Sequence, residues 1–186
     1  LLAKLLKGCD PLHKVSIIPR GMALGITMTL PEKDYLTMKK SQLLDRITMT
    51  LGGRVAEELI YGSDSVTTGA SNDLEKVSSL ARKMVTSYGM SEKMGNLTYG
   101  KSEEHVFMGR DFGHNRDFSE EIAADIDKEV KKIVDERYEM AKELLSSNRD
   151  MLEFISKALL DRETLDEKEF DELMSVVYQR RNENQV

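Results

Sequence analysis

One aspartate, Asp73, has a position and neighbours that suit metal chemistry. It follows a Thr-Thr-Gly turn at residues 67–69 and precedes apolar residues at the spacing of a helix face. These residues are Leu74, Val77, Ala81, Met84, Val85 and Tyr88. Gly89 then supplies a typical helix stop, so we expect Asp73 in the first turn of this helix. A carboxylate there is stabilised by the helix dipole and stays ionised, as a metal ligand must.

The same position also has a structural interpretation. Asp, Asn and Ser are the usual residues at the start of a helix, and Asn72 with Glu75 forms a pair like a capping box. On spacing alone, a cap is the more ordinary role for Asp73. The pattern therefore leaves two interpretations, a helix cap and a metal ligand.

The other chemically capable residues give weaker patterns. The histidines His13, His105 and His114 lack the i, i+4 spacing of paired metal ligands on a helix. A lone histidine at the start of a strand is usually structural, and the other two lie in a polar stretch where we expect them to be exposed. We therefore assign no histidine to a metal. The adjacent Glu57 and Glu58 are typical of a solvated helix face.

The elements that must carry these residues are mainly helical. Leucine, isoleucine and valine recur at helical spacing through residues 41–62. Gly52 and Gly53 inside this helix each cost about 1 kcal/mol relative to alanine. That cost predicts the close approach of another element.

Two short strand patterns, at residues 13–18 and 24–30, flank a Pro-Arg-Gly turn and predict one small β hairpin. Residues 96–117 have no periodicity, and we expect a mobile loop there. Three helical stripes follow in residues 118–180, the third opening with Thr164 and Glu167 as a capping box. From Arg180 onward the sequence is polar, and we expect a frayed end.

The composition excludes several classes of protein. The 186 residues, 32% of them charged, are typical of one soluble globular domain, and the net charge of −6 argues against a nucleic-acid surface. A single cysteine, Cys9, excludes an intramolecular disulfide and fits a reducing compartment. No stretch approaches the roughly 18 apolar residues of a membrane span. Because the sequence starts at Leu1 without a Met, we expect a soluble fragment of a longer protein.

Five blocks of the sequence resemble, in order, the FtsH-type family of membrane-anchored AAA+ zinc proteases. They are HKVSIIPRGMALGITMTLPEKD, LGGRVAEELIYG, TTGASNDL, YGMSEKMG and HVFMGRDF. The resemblance implies a mainly α peptidase domain with one β hairpin and a C-terminal helical bundle. It also implies one domain over residues 1–186, with a zinc-site core in residues 1–95, the loop at 96–117 and C-terminal helices at 118–180.

The resemblance also implies roles for particular residues. Asp73 matches the third zinc ligand, and Glu57 matches a residue beside the zinc that orients a ligating histidine. The strand Gly25, Ile26, Thr27 and Met28 matches an edge that binds the substrate backbone by strand addition. The family's His-Glu-x-x-His helix is absent, and residues 1–6 match its tail. No catalytic residue is therefore expected in the chain, and we expect the chain alone to bind zinc weakly or not at all.

For the longer protein, the resemblance implies an ATP-dependent zinc metalloendopeptidase that degrades unfolded or membrane proteins. It would use zinc here, use ATP and Mg²⁺ in an AAA+ module outside this sequence, and assemble as a homo-hexamer. N-terminal segments outside this sequence would anchor it, with this domain on the cytoplasmic side in bacteria or its organelle equivalent. The alternative is a helical assembly or adaptor module without chemistry, from a degenerate relative. A His-Glu-x-x-His motif encoded just upstream of Leu1 would favour the protease.

Overall fold

The computed structural model describes residues 1–19, 21, 24–31, 36–100 and 118–183. The helices are α1 (Leu2–Leu5), α2 (Lys40–Tyr61), α3 (Ser71–Thr86), α4 (Glu120–Ser147), α5 (Arg149–Arg162) and α6 (Glu167–Glu183). The strands are β1 (Leu12–Ser16), β2 (Ile26–Thr29) and β3 (Thr164–Asp166), and two 3₁₀ turns cover Ser63–Ser65 and Thr68–Ala70. The predicted mainly α fold is confirmed.

Helices α2, α3 and α4 enclose the larger apolar core. The predicted stripes face each other there, because residues three and four apart share one face of a helix. The core residues are Leu43, Ile47, Leu51, Val77, Ala81, Met84, Val85, Met94, Ile126 and Ile133. Beside this core, Val55 of α2 packs with Leu2 of α1 and with Ala141 and Leu145 of α4.

The two glycines of α2 differ in their surroundings. A Cβ on Gly52 would lie 2.8 Å from Cδ1 of Leu2, whereas a Cβ on Gly53 would meet no heavy atom within 4 Å. The predicted close approach is therefore confirmed for Gly52, and the approaching element is α1. Gly53 is exposed, so its helix cost has no packing explanation within the described part of the chain.

The predicted hairpin is present and is extended by a third strand. The sheet is antiparallel with the order β2-β1-β3, and Val15 pairs with Thr27 on one side and Leu165 on the other. The prediction that Thr164 and Glu167 form a capping box is wrong. The box consists of Asp166 and Glu169, each of which accepts the other's backbone N–H, at 2.9 and 3.0 Å. Thr164 belongs to β3 instead.

Helices α5 and α6 pack against the sheet around a second apolar core. Its buried residues are Leu12, Met151, Ile155, Leu165, Phe170, Leu173, Met174 and Val177. The expectation of a frayed end is wrong for residues 180–183, because α6 continues to Glu183, and residues 184–186 lie outside the described residues. Arg181 binds Asp150 and donates to Oδ1 of Asn148 at 3.1 Å, which fastens α6 to the start of α5.

The segment after α3 has defined contacts up to Gly100. Helix α3 ends at Thr86, and Gly89 has a φ of +60°, so it turns the chain as predicted. The backbone N–H of Tyr99 donates to the carbonyl of Thr86 at 2.8 Å, and its ring packs edge-on against Phe118. Most of the predicted loop, residues 101–117, lies outside the described residues.

Candidate functional site

Asp73 is the third residue of α3. Its side chain is 48% exposed and forms an ion pair of 3.1 Å with Lys76, one turn further along the same helix. Helix α3 has Ala70 as its N-cap, and no side chain caps it there. The predicted capping pair of Asn72 and Glu75 is therefore wrong. Asp73 presents a half-exposed carboxylate whose described partner is an exposed lysine.

The turn before α3 is held by α2 through three residues, which we call the α2–α3 junction: Arg54, Glu57 and Thr67. Nη1 of Arg54 donates to the carbonyl of Thr67 at 3.1 Å and lies 3.6 Å from Oε2 of Glu57. The backbone N–H of Gly69 donates to Oγ1 of Thr67 at 3.2 Å. Hydrogen bonds from the hydroxyl and then the backbone N–H of Thr67 lower the pKa of Glu57. Glu57 therefore does not belong to a solvated helix face.

Glu58 points to a different element and forms what we call the α2–α4 seam, with Tyr138 and Lys142. The Tyr138 hydroxyl donates to one carboxylate oxygen of Glu58, and Nζ of Lys142 donates to the other at 3.0 Å. These two hydrogen bonds lower the pKa of Glu58. Burial, followed by the bond to Glu58, raises the pKa of Tyr138 to about 12.

Strand β2 has one side without a described neighbour. The N–H of Leu30 donates to the carbonyl of Pro11, toward β1, and Lys14 and Ser16 pair with Met28 and Ile26. Backbone groups of consecutive strand residues point in alternate directions. The N–H and C=O of Thr27 therefore point away from β1, to the free edge of the sheet.

The histidines form no metal group in the described part of the chain. His13 is exposed at an irregularity in the β1–β2 pairing, whereas His105 and His114 lie outside the described residues. No set of three His, Cys, Asp or Glu side chains there is placed to hold a metal ion. Asp73 fits the part of one carboxylate ligand, because its oxygens are accessible and zinc binds such oxygens. The described residues do not complete a zinc site.

Two residues of the junction were not found from the sequence. Arg54 gives a weak signal, since it lies three residues before Glu57, at the spacing of helical ion pairs. Thr67 precedes Gly69 by two residues, which is the spacing of a hydroxyl-capped turn. Neither signal predicts that the arginine of one helix reaches the turn that begins the next.

The length and apolar content of the helices can be compared with those of membrane-spanning helices. Within residues 1–19, 21, 24–31, 36–100 and 118–183, none of the helices combines the length and apolar character that crossing a membrane requires.

Comparison with known proteins gives a consistent match. Residues 1–173 match the family described as Peptidase family M41. ATP-dependent zinc metalloprotease FtsH 1 of Thermoanaerobacter sp. is 49% identical over 175 residues, 94% of this chain and 28% of that protein. ATP-dependent zinc metalloprotease FtsH of Myxococcus xanthus is 52% identical over 174 residues, again 94% of this chain and 27% of that protein. The chain therefore spans only about a quarter of the length of these curated relatives.

Proposed function

The chain belongs to peptidase family M41, and on that premise we propose that it is part of the peptidase domain of an ATP-dependent zinc metalloendopeptidase. The observation that carries this proposal is the family match over residues 1–173. The accessible carboxylate of Asp73 in the first turn of α3 agrees with it. The two similar relatives are named as ATP-dependent zinc metalloproteases.

Within this proposal, the chain supplies one zinc ligand and its supports. Asp73 gives the carboxylate, Glu57 supports the site, and two histidines and the general base come from a His-Glu-x-x-His segment outside this sequence. A zinc ion in such a site lowers the pKa of its bound water and polarises the scissile carbonyl. Helix α1, which packs against Gly52, is then the end of the helix that carries this motif.

The longer enzyme would be a membrane-anchored homo-hexamer. An ATP- and Mg²⁺-using AAA+ module would unfold protein substrates, including membrane proteins, and deliver them to the zinc sites. In a bacterium this domain would lie on the cytoplasmic side. The net charge of −6 argues against a nucleic-acid partner.

The test of the metal role compares neighbouring substitutions in the longer enzyme. Asp73→Ala is expected to abolish casein cleavage and to lower zinc occupancy, because it removes a ligand. Asn72→Ala is the matched control. It removes an exposed side chain next to Asp73 that caps no helix, so the free energy of unfolding should change by less than about 0.5 kcal/mol. Metal analysis and casein turnover are measured for both.

Two results would contradict the proposal. Near-normal casein cleavage by Asp73→Ala would show that this carboxylate is no ligand. A longer protein without zinc or cleavage would favour the helical assembly or adaptor module instead. In that second case neither substitution would change any measured activity.

Substrate binding is proposed at the free edge of β2, formed by residues 25–28. An extended substrate chain that pairs with this edge gains main-chain hydrogen bonds, which depend little on its side chains. This suits an enzyme that receives unfolded chains of many sequences. Thr27 offers its backbone donor and acceptor toward this edge, whereas Met28 is committed to β1.

Proline substitutions at these two positions test the edge. Thr27→Pro removes an outward N–H, so cleavage of unfolded casein should fall strongly while zinc content and ATPase turnover stay nearly unchanged. Thr27→Val keeps the backbone N–H and should lower casein cleavage only slightly. Met28→Pro removes an N–H of the β1 ladder and should lower stability instead. Equal losses from Thr27→Pro and Thr27→Val would point to a side-chain contact, and loss of zinc or hexamers with Thr27→Pro would mean a structural strand.

A further inference from the structure

The first turn of α3 has little apolar packing of its own. No residue between Val55 and Val77 is buried, although the structure describes all of them. Both 3₁₀ turns and the first turn of α3 lie in this stretch, and Asp73 lies four residues before Val77. Half-buried Leu74 packs one side of this turn against the core, and polar contacts hold the chain that leads into it.

The α2–α3 junction supplies those contacts at one residue. The carbonyl of Thr67 accepts from Arg54, and its hydroxyl accepts from the N–H of Gly69. Glu57 forms an ion pair with Arg54 and hydrogen bonds with Thr67. Thr67 is the extended N-cap of the 3₁₀ turn Thr68–Ala70, and α3 follows that turn without a break. A short helical connection is stiff, so fixing Thr67 also fixes the start of α3.

We propose that Arg54 and Thr67 are positioning residues, which hold the first turn of α3 so that the Asp73 carboxylate meets the zinc. This inference rests on the proposed function, because it needs Asp73 to be a ligand. It assigns to Arg54 and Thr67 a role that acts through Asp73 rather than through contact with the metal or the substrate. Outer contacts of this kind orient ligands and contribute to metal affinity.

The competing interpretation is that the junction only stabilises the fold. Arg54 and Glu57 form an ion pair near the surface, and such pairs contribute little to stability. The two interpretations differ in what a substitution changes. A structural contact affects the melting temperature, whereas a positioning contact affects zinc affinity and turnover with little change in melting temperature.

The experiment uses threonine variants of the longer enzyme. Thr67→Val keeps the shape of the side chain and removes its hydroxyl, and Thr67→Ser restores the hydroxyl. Thr68→Val is the matched control, because the Thr68 hydroxyl has no hydrogen bond with any described residue and is exposed. The zinc dissociation constant by chelator competition, kcat and KM on unfolded casein, ATPase turnover and melting temperature are measured for each.

Thr67→Val is expected to weaken zinc binding by about 10- to 100-fold and to lower kcat more than KM. Thr67→Ser and Thr68→Val should stay within about threefold of the unsubstituted enzyme, with equal melting temperatures. Arg54→Ala should also weaken zinc binding and lower kcat. The double variant of Arg54→Ala and Thr67→Val should lose zinc affinity by less than the product of the two single fold-losses, as expected for residues in one network.

The failures of the two proposals are distinguishable. If the unsubstituted enzyme holds zinc and cleaves casein while Thr67→Val behaves like Thr68→Val, the positioning role alone is overturned. The positioning role is also overturned if Thr67→Val lowers the melting temperature enough to explain its lost zinc and Thr67→Ser shows the same fall. If the unsubstituted enzyme neither holds zinc nor cleaves casein, the proposed function is wrong, and the positioning role fails with it.

Discussion

Glu57 and Glu58 are consecutive residues of α2, but they fasten this helix to different parts of the molecule. Glu58 belongs to the α2–α4 seam, where its carboxylate accepts from Tyr138 and Lys142 above an apolar core. Glu57 belongs to the α2–α3 junction, which bonds a turn without any buried residue. The same residue type therefore joins α2 to a helix over the apolar core on one side and to an exposed turn on the other.

This difference follows from the helix period. Consecutive residues in a helix are 100° apart, so two adjacent glutamates leave the helix in different directions. The seam combines polar bonds with apolar burial, and breaking it exposes core surface. The three residues of the junction contact each other through polar groups and none of them is buried, so breaking these contacts should expose little core surface. Stability should therefore respond to the seam, and activity to the junction.

The largest expected effect is on the core beneath the seam. Leu51 is 1% exposed, and Leu51→Ala should lower the free energy of unfolding by about 2 to 5 kcal/mol, through lost burial and a cavity. Val66→Ala, in the partly exposed stretch next to the junction, should cost less than about 1 kcal/mol. Denaturant unfolding of both variants is the measurement. Similar costs would mean that the junction is packed as tightly as the seam.

A smaller effect is expected from the polar part of the seam. Tyr138→Phe removes the hydroxyl that donates to Glu58 and should lower the free energy of unfolding by about 1 to 2 kcal/mol. Zinc affinity and casein turnover at a temperature well below unfolding should not change. If turnover fell without any loss of stability, the seam would share the role assigned to the junction.

The pH dependence of stability should differ between Tyr138→Phe and the unsubstituted protein. Burial and then the Glu58 bond raise the pKa of Tyr138 from 10.0 to about 12, so the unfolded chain loses the phenol proton first as pH rises. The stability that Tyr138 contributes is fully present below pH 10 and is lost as pH rises toward about 12. The unsubstituted protein should therefore lose more stability than Tyr138→Phe over this range. Parallel curves would show that the phenol is solvated.

The sequence predicts the elements whose residue pattern repeats along the chain. It does not predict features that depend on one short segment or one contact between distant residues. The stripes of α2, α3 and α4 could be predicted, because burial at every third or fourth residue leaves a periodic signal. Strand β3 could not, because three residues have no period and Thr164 with Glu167 imitates a capping box. Asp73 was expected in the first turn of its helix, where the structure has it. The bond from Arg54 to Thr67 depends on how the chain folds back on α2 through the 3₁₀ turn Ser63–Ser65, which no local pattern records.

The smallest expected effect separates the two glycines of α2 and tests the contact between α2 and α1. Gly53→Ala should stabilise the protein by about 0.5 to 1 kcal/mol, because alanine favours the helix and its methyl group meets open space. Gly52→Ala gains the same helix preference, but its methyl group would lie 2.8 Å from Cδ1 of the buried Leu2. Overpacking offsets the gain, so Gly52→Ala should be less stable than Gly53→Ala by about 1 kcal/mol or more.

Thermal unfolding of the two glycine variants side by side gives the answer, since they differ only in position on the same helix. Because α1 is proposed to be the end of the helix carrying the zinc motif, Gly52→Ala should also weaken zinc binding in the longer enzyme, whereas Gly53→Ala should not. Equal stabilisation by both would show that α1 moves aside without cost. In that case the contact between α1 and α2 would not contribute to holding the motif.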